Sequence, residues 1–250
     1  MTVQELAVYL DERIPVSLSE PWDNDGRMVI PHRETEVTGV LCALDCTSGA
    51  IARAKELGCN VILTHHPLIF KPLASLTDTD SVGKRVLACV ESGIAVLSYH
   101  TRLDSLEGGV NDCLAKALGL RNITSFLPYG RIGEVEKQSF ETFASHVGTA
   151  LETEELALVK ASSNVKKVAL VSGSGKDEIR EALEAGADTF VTGEANHSSM
   201  LDCMELGLNL ICATHYATER VVLPFLQTLA EEAGLKTIIY PFAREAEYGI

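Results

Sequence analysis

The stretch Val61-Ile-Leu-Thr-His-His-Pro-Leu-Ile-Phe70 decides how this chain is read. Val61 to Thr64 are apolar or β-branched and follow a helical run, the pattern of a short buried strand. Pro67 lacks an N–H and blocks continuation of that strand. His65 and His66 therefore stand just past a strand's carboxyl end, where open parallel sheets place their chemistry. Side chains on adjacent residues point in different directions. Two imidazoles there can serve two neighbouring metal ions, or be one surface and one core histidine.

Outward from this stretch the pattern alternates between strands and helices. Residues 39–44 read as a strand, and Asp45-Cys-Thr-Ser-Gly49 as the turn into a helix over 50–57 that Gly58 caps. A helix over 82–92 stops at Gly93, and a strand over 94–98 ends in Tyr99-His-Thr-Arg-Leu-Asp104. At the N-terminus, Val3, Leu6, Ala7 and Leu10 have helical spacing, with Thr2 as N-cap, Glu5 three residues on, and Pro15 as the stop. Residues 19–26 form a turn-rich loop holding the only tryptophan, Trp22, which either caps an apolar pocket or faces a substrate. Gly108-Gly109 and Asn111 open a helix over 112–118. Residues 119–164 read as the least regular part, a small connecting element with a helical run over 140–151. The whole reads as an α/β fold with mainly parallel sheets.

The pattern then returns. Placing Thr64 on Thr192, an offset of 128 (192 − 64), also matches Val40 with Val168, Ala54 with Ala182, Glu56 with Glu184 and Gly58 with Gly186. Further on, Cys89-x-Glu-x-Gly93 recurs as Cys203-x-Glu-x-Gly207. After a one-residue slip, His100-x-x-x-Asp104 lies over His215-x-x-x-Glu219. Two similar α/β lobes follow from this: residues 1–125 with His65, His66 and Asp104, and residues 126–250 with His215 and Glu219.

Composition narrows the function classes. The net charge of −14 opposes broad nucleic-acid binding, and Lys166, Lys167 and Arg131 are too few for a basic lining. No apolar run approaches the roughly 20 residues of a membrane span. The N-terminus lacks a signal-peptide pattern, which makes a cytoplasmic protein the expectation. The seven cysteines are scattered without a CxxC pair, the usage of reduced core thiols rather than structural zinc.

Collected by position, the candidates at strand ends are His65, His66, His100, Asp104, Glu194, His197, His215 and Glu219. Imidazole and carboxylate donors without thiolates suit zinc, manganese, iron or nickel. His215 and Glu219, at i and i+4, share a face if a helix begins after the strand. One histidine of the 65–66 pair with Asp104 would hold one ion, the other histidine with His215 a second, and Glu219 would bridge. His100 is better cast as an orienting group or proton shuttle, and Glu194 as a hydrogen-bond partner to a ligand imidazole. Gly173-Ser-Gly-Lys176 resembles a phosphate-cradling turn without the full Walker spacing.

These residues resemble the family of GTP cyclohydrolase 1 type 2 homologs, also called Nif-three-like proteins. The resemblance runs nearly end to end and includes Trp22-Asp-Asn-x-Gly26, Thr64-His-His-Pro-Leu-Ile-Phe70, His100-Thr-x-Leu-Asp104, Gly108-Gly-Val-Asn111, Thr192-Gly-Glu194 and His215-Tyr-x-Thr-Glu219. It implies a two-lobed α/β subunit without an inserted third domain, with two divalent ions in the cleft between lobes. It also implies a ring-shaped homohexamer, a trimer of dimers. The implied metal ligands are His65, His66, Asp104, His215 and Glu219, in agreement with the choice from residue types. Arg102 stands where the family commonly has asparagine, and Arg27-Met28 where an apolar residue is usual. Arg102 is expected to alter charge beside the metal site. The expected function is a metal-dependent hydrolase of a small molecule, with a nucleotide as in GTP cyclohydrolase the first candidate, using a metal-bridging water. The alternative class is a non-catalytic metal-binding, regulatory or metallochaperone ring protein.

Overall fold

The computed structural model describes residues 1–241. The chain opens with helix α1 (Val3–Arg13), then strands β1 (Gly26–Val29) and β2 (Val40–Ala43), helix α2 (Ser48–Leu57), strand β3 (Val61–Thr64), helix α3 (Ser81–Glu91) and strand β4 (Ala95–Ser98). The short helix α4 (Thr101–Ser105) and helix α5 (Val110–Ala117) lead to strands β5 (Arg121–Ser125) and β6 (Arg131–Ser139), helix α6 (Phe140–Ala150) and strand β7 (Ala157–Val159). Next come β8 (Asn164–Val171), α7 (Ile179–Glu184), β9 (Thr189–Thr192), α8 (His197–Leu206), β10 (Asn209–Cys212) and α9 (His215–Glu219). Helix α10 (Leu223–Glu232) and strand β11 (Thr237–Ile239) close the described chain.

The chain divides into two compact units at residues other than the 125/126 boundary expected from sequence. One comprises Met1–Leu103 and the segment beginning at Leu223; the other is Asp104–Val222. The reason is β11, which pairs in parallel with β2 and so returns to the first sheet. Residues 242–250 of the expected second lobe lie outside the described residues.

The first unit's sheet has the order β1-β4-β3-β2-β11. Its three central strands run parallel and are buried at every position, which explains why they read as unbroken apolar runs. Leu41, Ala43, Ile62 and Val96 form its core with Ala50 and Ala54 of α2 and Val86 and Cys89 of α3. Full burial of a side chain such as Leu41 or Ile62 contributes roughly 1.5–3 kcal/mol. Helix α1 begins as its sequence indicates: Thr2 and Glu5 form a reciprocal capping box.

The second unit's sheet, β5-β6-β8-β9-β10-β7, is mixed: β8, β9 and β10 are parallel, while β5, β6 and β7 pair antiparallel. Mainly parallel sheets were expected, and here that expectation fails. The error lies in residues 119–164, which hold three strands rather than a connecting element. β5 is mostly exposed and polar, and β6 carries Glu134, Glu136 and Lys137, so neither shows an apolar run. The pairing of β5 with β6, and of β6 with β8, supplies what local sequence does not.

The repeat holds at the level of hydrogen-bond register. Val40 pairs with Val61 and Ala43 with Thr64; 128 residues on, Val168 pairs with Thr189 and Val171 with Thr192. Val61 opposes Ala95 in the first unit, and Thr189 opposes Asn209 in the second. Side-chain supports recur too. Asn60 accepts from the Thr38 N–H, and Asp188 at the matching position accepts from the Lys166 N–H. Gly58 and Gly207 end α2 and α8 in the left-handed conformation, where a side chain would be strained.

Candidate metal site

In the first unit the chemistry gathers past the ends of β2, β3 and β4. The His65, His66 and His100 rings are neighbours, with centroids 5.0–5.8 Å apart. One potential ligand atom from each lies within 4.8 Å of the others. Each ring is held at Nδ1 by an oxygen that can only accept. His65 donates to the Tyr99 carbonyl at 3.0 Å, His66 to the Asp45 carboxylate at 2.9 Å and His100 to Asp23 at 2.9 Å. The proton is thereby fixed on Nδ1 and the lone pair on Nε2. This is how metal-ligating imidazoles are usually oriented, and the acceptor raises their basicity. The donor set fits a divalent first-row ion.

Asp23 and Asp45 are the residues that the motifs left without a role. Burial alone raises the Asp23 carboxyl pKa, but hydrogen bonds from His100 and Thr101, with the histidine's charge, outweigh it and hold it at about 2. Asp23 is thus a fixed anion under His100. Its place in Trp22-Asp-Asn24, and that of Asp45 two residues past β2, were available signals. His100, ranked below the ligands from sequence, stands directly beside His65 and His66.

In the second unit, α9 begins where β10 ends, so His215 and Glu219 do share a helical face. His215 Nε2 lies 3.1 Å from a Glu219 carboxylate oxygen, and its Nδ1 lies 3.5 Å from Glu194. Glu194 is therefore placed as expected, against a candidate ligand imidazole. His197, the first residue of α8, is exposed and belongs to no histidine cluster among the described residues. Asp104 sits in α4, where its backbone carbonyl accepts from Asn111 at 3.4 Å. Asn111, fully buried, also accepts from the Ser172 N–H at 2.8 Å, tying α5 to the end of β8.

Two glycines make the space in which His215 and Glu219 lie. A Cβ on Gly173 would fall 2.3 Å from a Glu219 oxygen and 3.1 Å from His215 Nε2. A Cβ on Gly193 would meet the Gly173 carbonyl at 2.5 Å and His215 Cα at 2.8 Å. In the turn Gly173-Ser-Gly-Lys176, which resembled a phosphate cradle, both glycine amides are engaged within the protein. Gly173 donates to Thr218 and Gly175 to Thr192. Arg131 is buried in a bidentate pair with Asp112, which removes it from any basic surface.

Arg102 departs from the expectation of altered charge beside the site. It is buried, bonded to Asp25 at 2.9 Å, to Asp11 at 3.0 Å and to the Ile14 carbonyl, with its guanidinium over the Tyr99 ring. Arg27 joins the same cluster through Asp11 at 2.9 Å. The two arginines neutralise the Asp11 and Asp25 carboxylates in a structural network. Two thiols are held neutral: burial, with Cys212 beside Cys203 and Glu194 beside Cys212, pushes both groups up to about 11. Among the described residues no helix is long and apolar enough to cross a membrane.

Residues 1–245 match the family described as Duf34/NIF3 (NGG1p interacting factor 3). The chain belongs to that family. A Clostridium perfringens relative named GTP cyclohydrolase 1 type 2 homolog is 34% identical over 257 residues, covering 99% of this chain and 98% of the relative. Among solved structures, the Staphylococcus aureus protein SA1388 superposes with a TM-score of 0.90 at 29% identity, over 97% of each chain. Reduced HcgD from Methanocaldococcus jannaschii gives a TM-score of 0.85 at 29% identity, over 97% of this chain and 98% of that one.

Proposed function

We propose that this Duf34/NIF3 chain is a divalent-metal-dependent hydrolase. Its donors are His65 and His66 from the first unit and Asp104, His215 and Glu219 from the second, with His100 as a further imidazole beside the first pair. The observation that carries the reading is the set of three imidazoles, each locked at Nδ1 by an oxygen acceptor. Divalent ions bound there supply Lewis-acid activation of water and of the scissile group. The protein's own residues orient: Asp45 and Asp23 hold the rings of His66 and His100, and Glu194 steadies His215. Asp23, hydrogen-bonded to His100 and Thr101, fixes the orientation of the His100 ring.

The relatives' name makes GTP the first substrate to offer, followed by other nucleotides and phosphoesters. The same reading includes two ions per subunit and a homohexameric ring. Metal content of the wild type and of a His66→Ala/Glu219→Ala variant, measured alongside turnover and light-scattering mass, tests it. Two ions per wild-type subunit, lost in the variant, with metal-dependent turnover, is the expected result. Two ions without turnover across the panel would move the assignment to a non-catalytic metal-binding protein. Absence of metal after reconstitution would sink it.

A further inference from the structure

Beside the three imidazoles stand two large aromatic side chains that the fold leaves in solvent. Trp22 is 63% exposed and Phe70 44% exposed. Burying such rings is among the larger gains open to a folding chain, so exposing both on one spot calls for a reason. The rings are arranged rather than scattered. Trp22 and Phe70 have centroids 6.2 Å apart at 75°; Trp22 and His100 are 6.4 Å apart at 80°; Phe70 and His100 are 6.0 Å apart at 89°. The three planes stand nearly perpendicular to one another, and His100 belongs at once to this corner and to the histidine cluster.

The segment that presents Trp22 is fixed. Glu20 donates its N–H to Thr101, and Asp23 accepts from His100 and from both the N–H and the hydroxyl of Thr101. Asn24 donates its side-chain amide to the Ile69 carbonyl, which clamps the tryptophan segment to the residue before Phe70. A preorganised aromatic face binds a flat ring at small entropic cost, because little remains to be ordered. Stacking tolerates any flat ring, since each presents a π-face.

We infer that Trp22 and Phe70 are the ring-binding face of the site, so that its ligand carries a planar heteroaromatic group stacked there with its reacting part toward His65 and His66. This rests on the metal-site reading for the direction in which the reacting part lies, but not for the stacking itself. Trp22 and Phe70 are positioning residues, not catalytic ones.

Trp22 is the chain's only tryptophan, so its fluorescence reports the face directly. The zinc-loaded full chain is titrated with guanosine, adenosine and uridine 5′-monophosphates and with ribose 5-phosphate, using N-acetyltryptophanamide to correct for absorbance. Saturable quenching by at least one nucleotide and not by ribose 5-phosphate is expected. Phe70→Ala should weaken that binding about tenfold, on the scale of one lost stacking partner, with zinc content unchanged. No quenching by any nucleotide, equal quenching by ribose 5-phosphate, or unchanged affinity in Phe70→Ala would overturn the inference. A Trp22→Ala variant of smaller assembled mass that still binds nucleotide, by equilibrium dialysis, would also overturn it and make the face a contact between copies. Nucleotide quenching in a chain that takes up no zinc would remove the metal reading and leave the aromatic face standing; zinc uptake without quenching would do the reverse.

Discussion

The two α/β repeats share a ladder register, yet they differ at two of the positions that end their strands. In the first, side chains stand past each strand: Asp45 after β2, His65 and His66 after β3, His100 after β4. In the second, the positions matching Asp45 and His65 are Gly173 and Gly193, while Glu194 matches His66 and His215, the counterpart of His100, opens α9. The difference extends to position 102. Arg102 is buried in an ionic cluster with Asp11 and Asp25, whereas its counterpart after the slip, Ala217, lies in an apolar core. A shared backbone thus supports two ways of building a donor set: crowding one end with side chains, or clearing it so that a helix can project into the space.

The sharpest way to break the contrast is at Arg102. Arg102→Ala leaves the Asp25 carboxylate buried and uncompensated, and should lower unfolding free energy by about 3–5 kcal/mol, read by denaturant titration. Arg102→Asn, the commoner residue at this position in the resembling family, should still destabilise because it removes the charge. A loss below roughly 1 kcal/mol in either variant would show that the cluster is solvated and the contrast with Ala217 superficial.

The second break is at the cleared end. Gly193→Ala places a methyl against backbone atoms that cannot rotate away, and should cost about 1–3 kcal/mol in thermal unfolding while displacing His215. The matching change in the crowded repeat, His65→Ala, removes volume and should leave β3 paired. Equal responses at the two positions would remove the distinction.

A third prediction sharpens the orienting role of the acceptors. Asp45→Ala takes the oxygen from His66 Nδ1 and should weaken metal binding about 10–100-fold, since partners of ligating histidines carry that much affinity. Calorimetric titration checks this, with unchanged circular dichroism showing that the fold survives. Asp45 is partly exposed, so a large stability loss is not expected.

The smallest effect is one of pH. Burial raises the Asp112 carboxyl pKa, but hydrogen bonds from Arg131 and the Gly108 N–H outweigh it, so the folded value lies below the ordinary 3.8. The stability this contributes is fully present above 3.8 and is lost as pH falls through the lower folded value. Asp112→Asn should therefore shrink the loss of stability below pH 3.8 and leave the slope near neutrality unchanged, as seen in melting temperatures across an acid series.

Much of this was legible in sequence because the informative segments are locally consistent. The strands around Val40, Val61 and Ala95 are buried on every side, so their composition declares them; the glycines at 58, 186 and 207 mark the turns that follow helices. His215 and Glu219 could be paired from helical spacing alone. What sequence withheld depends on partners distant in the chain. β6 is defined by pairing with β8 and β5 by pairing with β6, not by their own polar residues, and β11 by the sheet it rejoins. Asp23 and Asp45 look like ordinary turn residues until His100 and His66 are seen against them.

The return of β11 to β2 bears on how the chain is made. β2 is complete once residue 43 has left the ribosome, but its outer hydrogen-bonding edge waits for residues 237–239. Throughout synthesis of the 119 residues from Asp104 to Val222 (222 − 104 + 1), that edge is open to any extended chain nearby. An open, apolar edge is a template for mispairing. The nascent protein thus has an interval of vulnerability set by translation: at roughly 5–20 residues per second, the second unit alone adds on the order of 6–24 s to it. A ribosome stalled after Val222 would present a first sheet without its last strand to holdase chaperones.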